Sequence, residues 1–476
     1  MTAGRHWRLS GFVVGAAVVA AALLLSTVRI AAQVSLTGTR EITFTKDVAP
    51  ILQRSCQSCH RPGSAGPMSL LTYEDARPWA KAMKLRTSLR DKPNVMPPWF
   101  IEKNIGIQQY KGDVSLSDDE IGAISAWADA GAPRGNPADM PPPLTFLDAS
   151  EWAIGQPDLI VSSPTVTVKG TAADWWGPLA EVQTGLAEDR YVAAVEMKEV
   201  NDLDKAAGRQ TIGGRFIVHH LIWSAVGDGT SRTEIEAWPV HEVGRNADFF
   251  DPAAGKLLKA GSKLVFPSVH LHAAGTDARA HVDFAFKFHP KGYQPAKRVL
   301  GLDLTATLDL DIRPMEANQK IETFTTLDRN VKMLVFEPHM HAAGVRMCLD
   351  AIWNSMPQTL SCAGYNHGWV RVYSYADDAA PLLPKGTILR VTGYFDNTPA
   401  NRNVVDPRNW SGLGHRSIDN MMINIGQVLV LSDDELQQEM AHRREVLHLK
   451  DGQTVLGCPL CGYSKKPVGT TGGPQK

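Results

Sequence analysis

The sequence predicts a multidomain chain in which a small all-α domain is followed by two mainly antiparallel β-sandwich domains. Three observations carry this reading. With 476 residues and 43% hydrophobic content, the chain has length and apolar mass for about three ordinary cores. Residues 41–135 read as short helices with helix start and stop signals. From about 150 to 450, short apolar or alternating runs recur between Gly, Pro, Asn and Asp clusters, and long amphipathic helices are absent.

The elements follow in chain order. Arg5, His6 and Arg8 precede an apolar run at 11–25, followed by Ser26, Thr27, Ala31 and Ala32. That is the pattern of a secretory signal over 1–32. Left uncleaved, the same run approaches the roughly 20 residues of an N-terminal membrane anchor. Either outcome places the folded part in the periplasm or otherwise outside the cytoplasm. Lys plus Arg number 49 and Asp plus Glu 50, which gives no electrostatic case for a nucleic-acid partner or an anionic membrane surface.

In the helical domain, set at 41–135, Thr45 opens a segment with Val48, Ile51 and Leu52 on one face, ending at Cys56. Ser117 and Glu120 form a capping box before Ile121, Ile124 and Trp127, with Gly131 as stop signal. Pro133, Pro137, Pro141, Pro142 and Pro143 mark a stiff linker, set at 136–149. Strands are predicted at 159–161, 166–168, 216–223, 263–271, 282–288, 300–310, 332–336, 388–394 and 423–431. The division is a first sandwich at 150–310, a second at 311–455 and a tail at 456–476. One late helix, 433–447, is capped by Ser432.

The 6 cysteines divide into three pairs. Cys348 and Cys362 lie symmetrically about Ser355, in apolar runs separated by Asn354, Ser355, Met356 and Pro357. That is hairpin spacing, and it predicts a disulfide across the strands. Cys458 and Cys461 form a Cys-x-x-Cys followed by Gly462 rather than His, which predicts a local disulfide. A metal half-site there lacks a second pair.

Cys56-Gln57-Ser58-Cys59-His60 is the narrowest signal in the chain. Cys-x-x-Cys-His is the attachment motif of a covalently bound haem c, with His60 as axial ligand to iron. Two helices around such a motif make 41–135 a small cytochrome c domain. Met68, Met83 and Met96 are candidates for the second axial ligand. Met96 is preferred, because Met followed by Pro97 and Pro98 resembles the distal loop of small class I cytochromes c.

Histidines supply the second signal. His219 and His220 sit together in an apolar run; His270-Leu271-His272 and His339-Met340-His341 follow. A His-x-His on a strand puts both imidazoles on one face, suited to chelation. Adjacent residues on a flat strand face opposite ways, so His219 and His220 could share an ion only at a bulge or strand end. Imidazole with a thioether suits copper.

On these motifs the stretch from about 150 to 450 resembles the copper type II, ascorbate-dependent monooxygenases, the group of peptidylglycine and dopamine beta-monooxygenases. The resemblance implies two β-sandwiches facing each other over an open cleft, with two copper ions. His219, His220 and His270 would hold the electron-transfer copper; His339, His341 and a Met would hold the copper that binds dioxygen. The Met comes from Ile418-Asp419-Asn420-Met421-Met422, with Met421 preferred by position and Met422 as the alternative. His272 shares the face of His270 and is either a supporting residue or the ligand in its place.

Three positions depart from that family. Asn420 stands where a Glu is usual. Glu337 and Ile425 occupy the places of the Arg and Tyr that hold a peptide carboxylate, and neither can reproduce that anion clamp. A C-terminal glycine peptide is thereby disfavoured, and Glu337 is expected in a salt bridge or solvated. The implied function is hydroxylation of a C–H bond in a small organic substrate by dioxygen, through His339, His341 and Met421. Electrons would come from a periplasmic donor or an ascorbate-like reductant through the fused haem. The alternative is a periplasmic haem and copper electron-transfer protein without substrate turnover. Reduction of a small nitrogen oxide is weaker, because the Cys of a blue-copper centre is missing from the histidine motifs.

Overall fold

The computed structural model describes residues 40–62, 64, 66–90, 92–147, 151–204, 214–227, 238–242, 247–305, 310–414, 416 and 418–463. The predicted signal or anchor at 1–32 lies outside them. Among the described residues, no helix is long and apolar enough to cross a membrane.

Beyond the helical N-terminal unit, the fold is mainly antiparallel sheet, consistent with β-sandwiches. Strand Ala278–Phe288 is the backbone of the first six-stranded sheet, pairing with Leu159–Ser162, Val166–Val168 and Arg190–Asn201. The facing four-stranded sheet joins Trp175–Gln183, Lys263–Leu271, Val218–Val226 and His241–Glu242. Alternation sends Val195, Met197, Phe284 and Phe286 from one sheet and Trp223, Phe266 and Val269 from the other into one core. Trp223 anchors it, packed on Trp238, Phe284 and Phe286, with its indole N–H donating to the Pro239 carbonyl at 2.8 Å.

The second pair of sheets is built the same way. One comprises Gln319–Thr326, Ile388–Phe395, Gly344–Trp353 and Met356–Gly364. The other is centred on Met422–Leu431, flanked by Arg298–Thr305 and Asn330–Phe336, with Pro338–Met340 added at one end. Two domain limits shift here. Arg298–Thr305, assigned by sequence to the first sandwich, pairs along its length with Met422–Leu431 and belongs to the second. The Pro290, Gly292 and Pro295 turn segment before it is the physical exit from the first sandwich. Of the predicted tail, the described residues 456–463 pack on the second unit, with Cys458 and Cys461 buried against Leu382, Leu436 and Met440.

The Cys348–Cys362 and Cys458–Cys461 disulfides are both present. Cys348 lies directly opposite Cys362 in the hairpin ladder. Its loop is tighter than the expected four residues, because Asn354 and Ser355 both take positive φ (48° and 61°) and complete a two-residue turn.

In the helical unit, Phe44, Leu52, Ile124 and Trp127 form a closed core. Helix Asp118–Asp129 starts at the predicted capping box, Ser117 with Glu120. Helix Asp433–Val446 repeats that device with Ser432 and Glu435. Residues 99–110 leave the helical core. Trp99, Ile101, Ile107 and Tyr110 pack into the second pair of sheets, and Ile107 N–H donates to the Leu360 carbonyl at 2.8 Å. The helices are thereby fastened to the C-terminal β unit.

Candidate metal and haem sites

Each predicted site residue has an identifiable local cause. In the ladder between Val218–Val226 and Lys263–Leu271 the register slips between Val218 and His220, where a β-bulge admits an extra residue. That bulge meets the condition under which His219 and His220 can face the same way. Their Nδ1 atoms lie 3.3 Å apart. His270 stands opposite His220 in the ladder, its ring centroid 5.0 Å from each of the other two. Ligand atoms of the three lie within 4.8 Å of one another.

His270 is held from behind. Its Nε2 lies 3.2 Å from Asp174 Oδ2, and its ring stacks on Trp176 at 4.3 Å. That contact orients the ring whose ligand atom groups with those of His219 and His220. A carboxylate behind an imidazole is the usual support of a metal-binding histidine. His272 adjoins His219 at 5.5 Å, but its Nε2 is turned to the Phe216 carbonyl at 2.7 Å. The structure therefore groups His270, rather than His272, with the pair.

His339 and His341 form the second group, with Nε2 atoms 3.3 Å apart. A tetrahedral first-row ion with metal–nitrogen bonds of about 2.0–2.1 Å sets its ligand nitrogens roughly 3.3–3.4 Å apart. Both pairs match that spacing. The strand register separates the two methionines. His339 faces Ile423 and Met340 faces Met422, so continuing the ladder brings Met421 opposite His341. Met422 is fully buried in the core, and a Cβ on Gly393 would collide with its sulfur. Met422→Ala is thus expected to cost about 2–5 kcal/mol of stability in a denaturant titration. Met421→Ala, at a half-buried position, should leave the unfolding midpoint nearly unchanged.

The two groups adjoin: His220 and His339 have ring centroids 6.4 Å apart. Two further histidines approach them that sequence spacing gave no means to find. His241 is carried beside Leu221 by strand His241–Glu242. His367 lies in a loop, and burial, with His339 and His270 nearby, lowers its pKa to about 4. Burial likewise holds His219 down to about 3 and lowers His220 and His270. These rings are neutral at pH 7, with lone pairs available to a cation. Glu337 is 1% exposed, which sets aside the solvated alternative of the two roles expected for it. Its N–H donates to Asn424 Oδ1 and its carbonyl accepts from Ile425, which ties this position into the strand pair. Asn420 is also buried, its amide donating to the Ser411 carbonyl at 3.3 Å.

At the helical unit, Cys56, Cys59 and His60 open into a crevice lined by Leu52, Met68, Met83, Met96, Ile124 and others. The thiols carry no disulfide, and burial pushes Cys56 up to about 12. His60 Nδ1 meets the Met68 carbonyl at 3.3 Å, which fixes the ring and leaves Nε2 for the crevice. Gly66 lies so close that a Cβ there would press on the His60 ring. Met96 and Met83 both line this crevice, Met96 41% exposed and Met83 buried against the helical core. Two thiols, an oriented imidazole and apolar walls suit a flat apolar group joined through sulfur.

No protein-family model and no curated protein matches the chain. Among solved structures it is similar to the major capsid protein P2 of bacteriophage PM2, at 8% identity and TM-score 0.27, covering 55% of this chain and 100% of that one. It is also similar to the cowpea mosaic virus top component, at 11% and 0.28, covering 60% and 95%. A third is PNGase F, a glycosylasparaginase from Flavobacterium meningosepticum, at 12% and 0.24, covering 57% and 96%.

Proposed function

We propose that the chain is a copper-dependent monooxygenase. It hydroxylates a C–H bond of a small organic substrate with dioxygen, and electrons reach it through a c-type haem held in the helical N-terminal unit, a small cytochrome c domain. Bound copper supplies one-electron redox chemistry toward dioxygen, for which imidazole and thioether donors are suited. The supporting observation is the pair of nitrogen–nitrogen separations, 3.3 Å at His219/His220 and 3.3 Å at His339/His341, on facing β units.

The chain's own contribution is positional. The bulge before His220 turns two imidazoles to one side, and Asp174 fixes the third through His270. The ladder pairs His339 with Ile423 and Met340 with Met422, and its extension would bring His341 and Met421 to the face of His339. Burial keeps the rings of the first group neutral, so protons do not compete for the lone pairs near neutral pH. A periplasmic setting accords with the two disulfides.

One observation also favours the carrier reading. With His220 and His339 at 6.4 Å, charge could pass between two ions with no substrate between them. Metal analysis with labelled-dioxygen turnover separates the two. Two coppers per chain with substrate-dependent incorporation of one oxygen atom supports the oxygenase; copper and electron flow without product supports the carrier. Met421→Ala is expected to suppress turnover at least tenfold with the haem spectrum unchanged. A fully active Met421→Ala protein would rule this methionine out as a ligand.

A further inference from the structure

We propose that the loop from His367 to Arg371 completes the haem crevice from the β side, with Trp369 Nε1 and the Arg371 guanidinium donating to the haem's propionate carboxylates. This rests on the haem reading above. The crevice is otherwise formed by residues of the N-terminal segment, and Trp369 and Arg371 are its wall from the C-terminal β unit. Trp369 Nε1 and Arg371 Nε are buried, and neither has an acceptor among the described residues. Buried N–H groups are rarely left so in folded proteins, and each such case calls for an acceptor. Two in one wall of an apolar slot that also carries two thiols point to an anionic edge on whatever fills it. On a haem, those anions are the propionates, and a planar guanidinium matches a carboxylate.

The donors are held in place before any ligand arrives. The Arg371 guanidinium lies over the Trp99 ring, 5.3 Å from its centroid. Trp99 is itself wedged edge-on against Tyr373 at 5.0 Å. Arg86 also lines the crevice, but on an exposed helix face where water can serve it. The other end of the loop carries His367, which burial and the neighbouring His339 and His270 keep neutral. Chain from His367 to Arg371 spans at most roughly 14 Å when fully extended. The loop that grips the haem edge therefore also reaches the histidine cluster, and it fixes how far apart the two redox groups can lie.

The test uses the full chain matured with haem. Haem staining of the denatured wild type comes first; an unstained band overturns both the cytochrome reading and this inference. With haem attached, reduction potential and the resonance Raman propionate band are compared in Arg371→Gln, Arg371→Lys and Trp369→Phe. Losing a cation at a propionate favours ferric haem. Arg371→Gln should therefore shift the redox equilibrium about tenfold toward it, about 59 mV for one electron. Lys should restore most of that shift, and Trp369→Phe should produce a smaller one in the same direction. Both changes should move the propionate band, which a purely structural role would leave in place. Wild-type potential and band in both variants, with haem attached, would overturn the propionate clamp alone. Should Arg371→Gln fail to fold, Trp369→Phe decides, since it keeps the aromatic wall and removes the donor.

Discussion

His220→Ala is expected to remove one of the two proposed copper equivalents and to lower turnover at least a hundredfold, with the haem absorption band unmoved. His220 is the ring between the groups: 3.3 Å from His219 by Nδ1, 5.0 Å from His270 and 6.4 Å from His339 by centroid. Its loss leaves the first group one donor short and takes away the imidazole nearest the second. The graded comparison is Asp174→Asn, which keeps every ring and changes the acceptor at His270 Nε2. Such supporting changes typically cost about 10–100-fold in metal affinity. Copper content by elemental analysis and competition with a chelator would give the order wild type, Asp174→Asn, His220→Ala. A His220→Ala protein with two tightly held coppers would refute the grouping of these histidines.

Much of the architecture is legible in sequence where a local rule and the tertiary structure agree. Lys263–Leu271 and Val166–Val168 are strands over the predicted residues. The predicted capping box at Ser117 and the predicted cap at Ser432 both start helices. The Cys348–Cys362 hairpin follows from symmetry about its turn. Where propensity and context disagree, the sequence misleads. Strand Arg190–Asn201 carries Ala193, Ala194, Glu196, Met197, Lys198 and Glu199, which are helix-forming types, yet it is the central partner of Ala278–Phe288. Gln319–Thr326 lies at a sheet edge with one neighbouring strand, so little apolar alternation is required of it.

The histidine motifs show the same division. A paired His, or His-x-His, declares itself by spacing, and register then decides between near neighbours. The bulge at His219 could be stated as a condition but not located, because nothing in Phe216-Ile217-Val218 departs from an ordinary strand. Met421 and Met422 are indistinguishable by composition, and what sets Met422 apart is its pairing with Met340 and its burial in the core. His241 and His367 are single histidines brought in by distant chain, and no periodicity records that. The same holds for Trp369 and Arg371, whose significance arises from the attachment of residues 99–110 to the β unit.

Trp223→Ala should be the most damaging core substitution, and it connects stability to the first histidine group. Trp223 is 1% exposed and touches Trp238, Phe284 and Phe286 from the same strand, Val218–Val226, that carries His219 and His220. Truncating a buried Trp costs about 3–5 kcal/mol through lost contacts and the cavity left behind. For a domain of this size, each kcal/mol shifts the melting temperature by about 2–4 °C. The N-terminal pair of sheets should therefore melt roughly 6–20 °C lower. Because the units have separate cores, calorimetry should show one transition moving while the others stay. Trp223→Phe keeps the ring but leaves the Pro239 carbonyl without its donor, at a cost of about 1–3 kcal/mol. Copper held by His219, His220 and His270 stabilises that unit by mass action, so added metal should raise its transition in both variants. A transition insensitive to copper in the wild type would mean that no ion is held between those three rings.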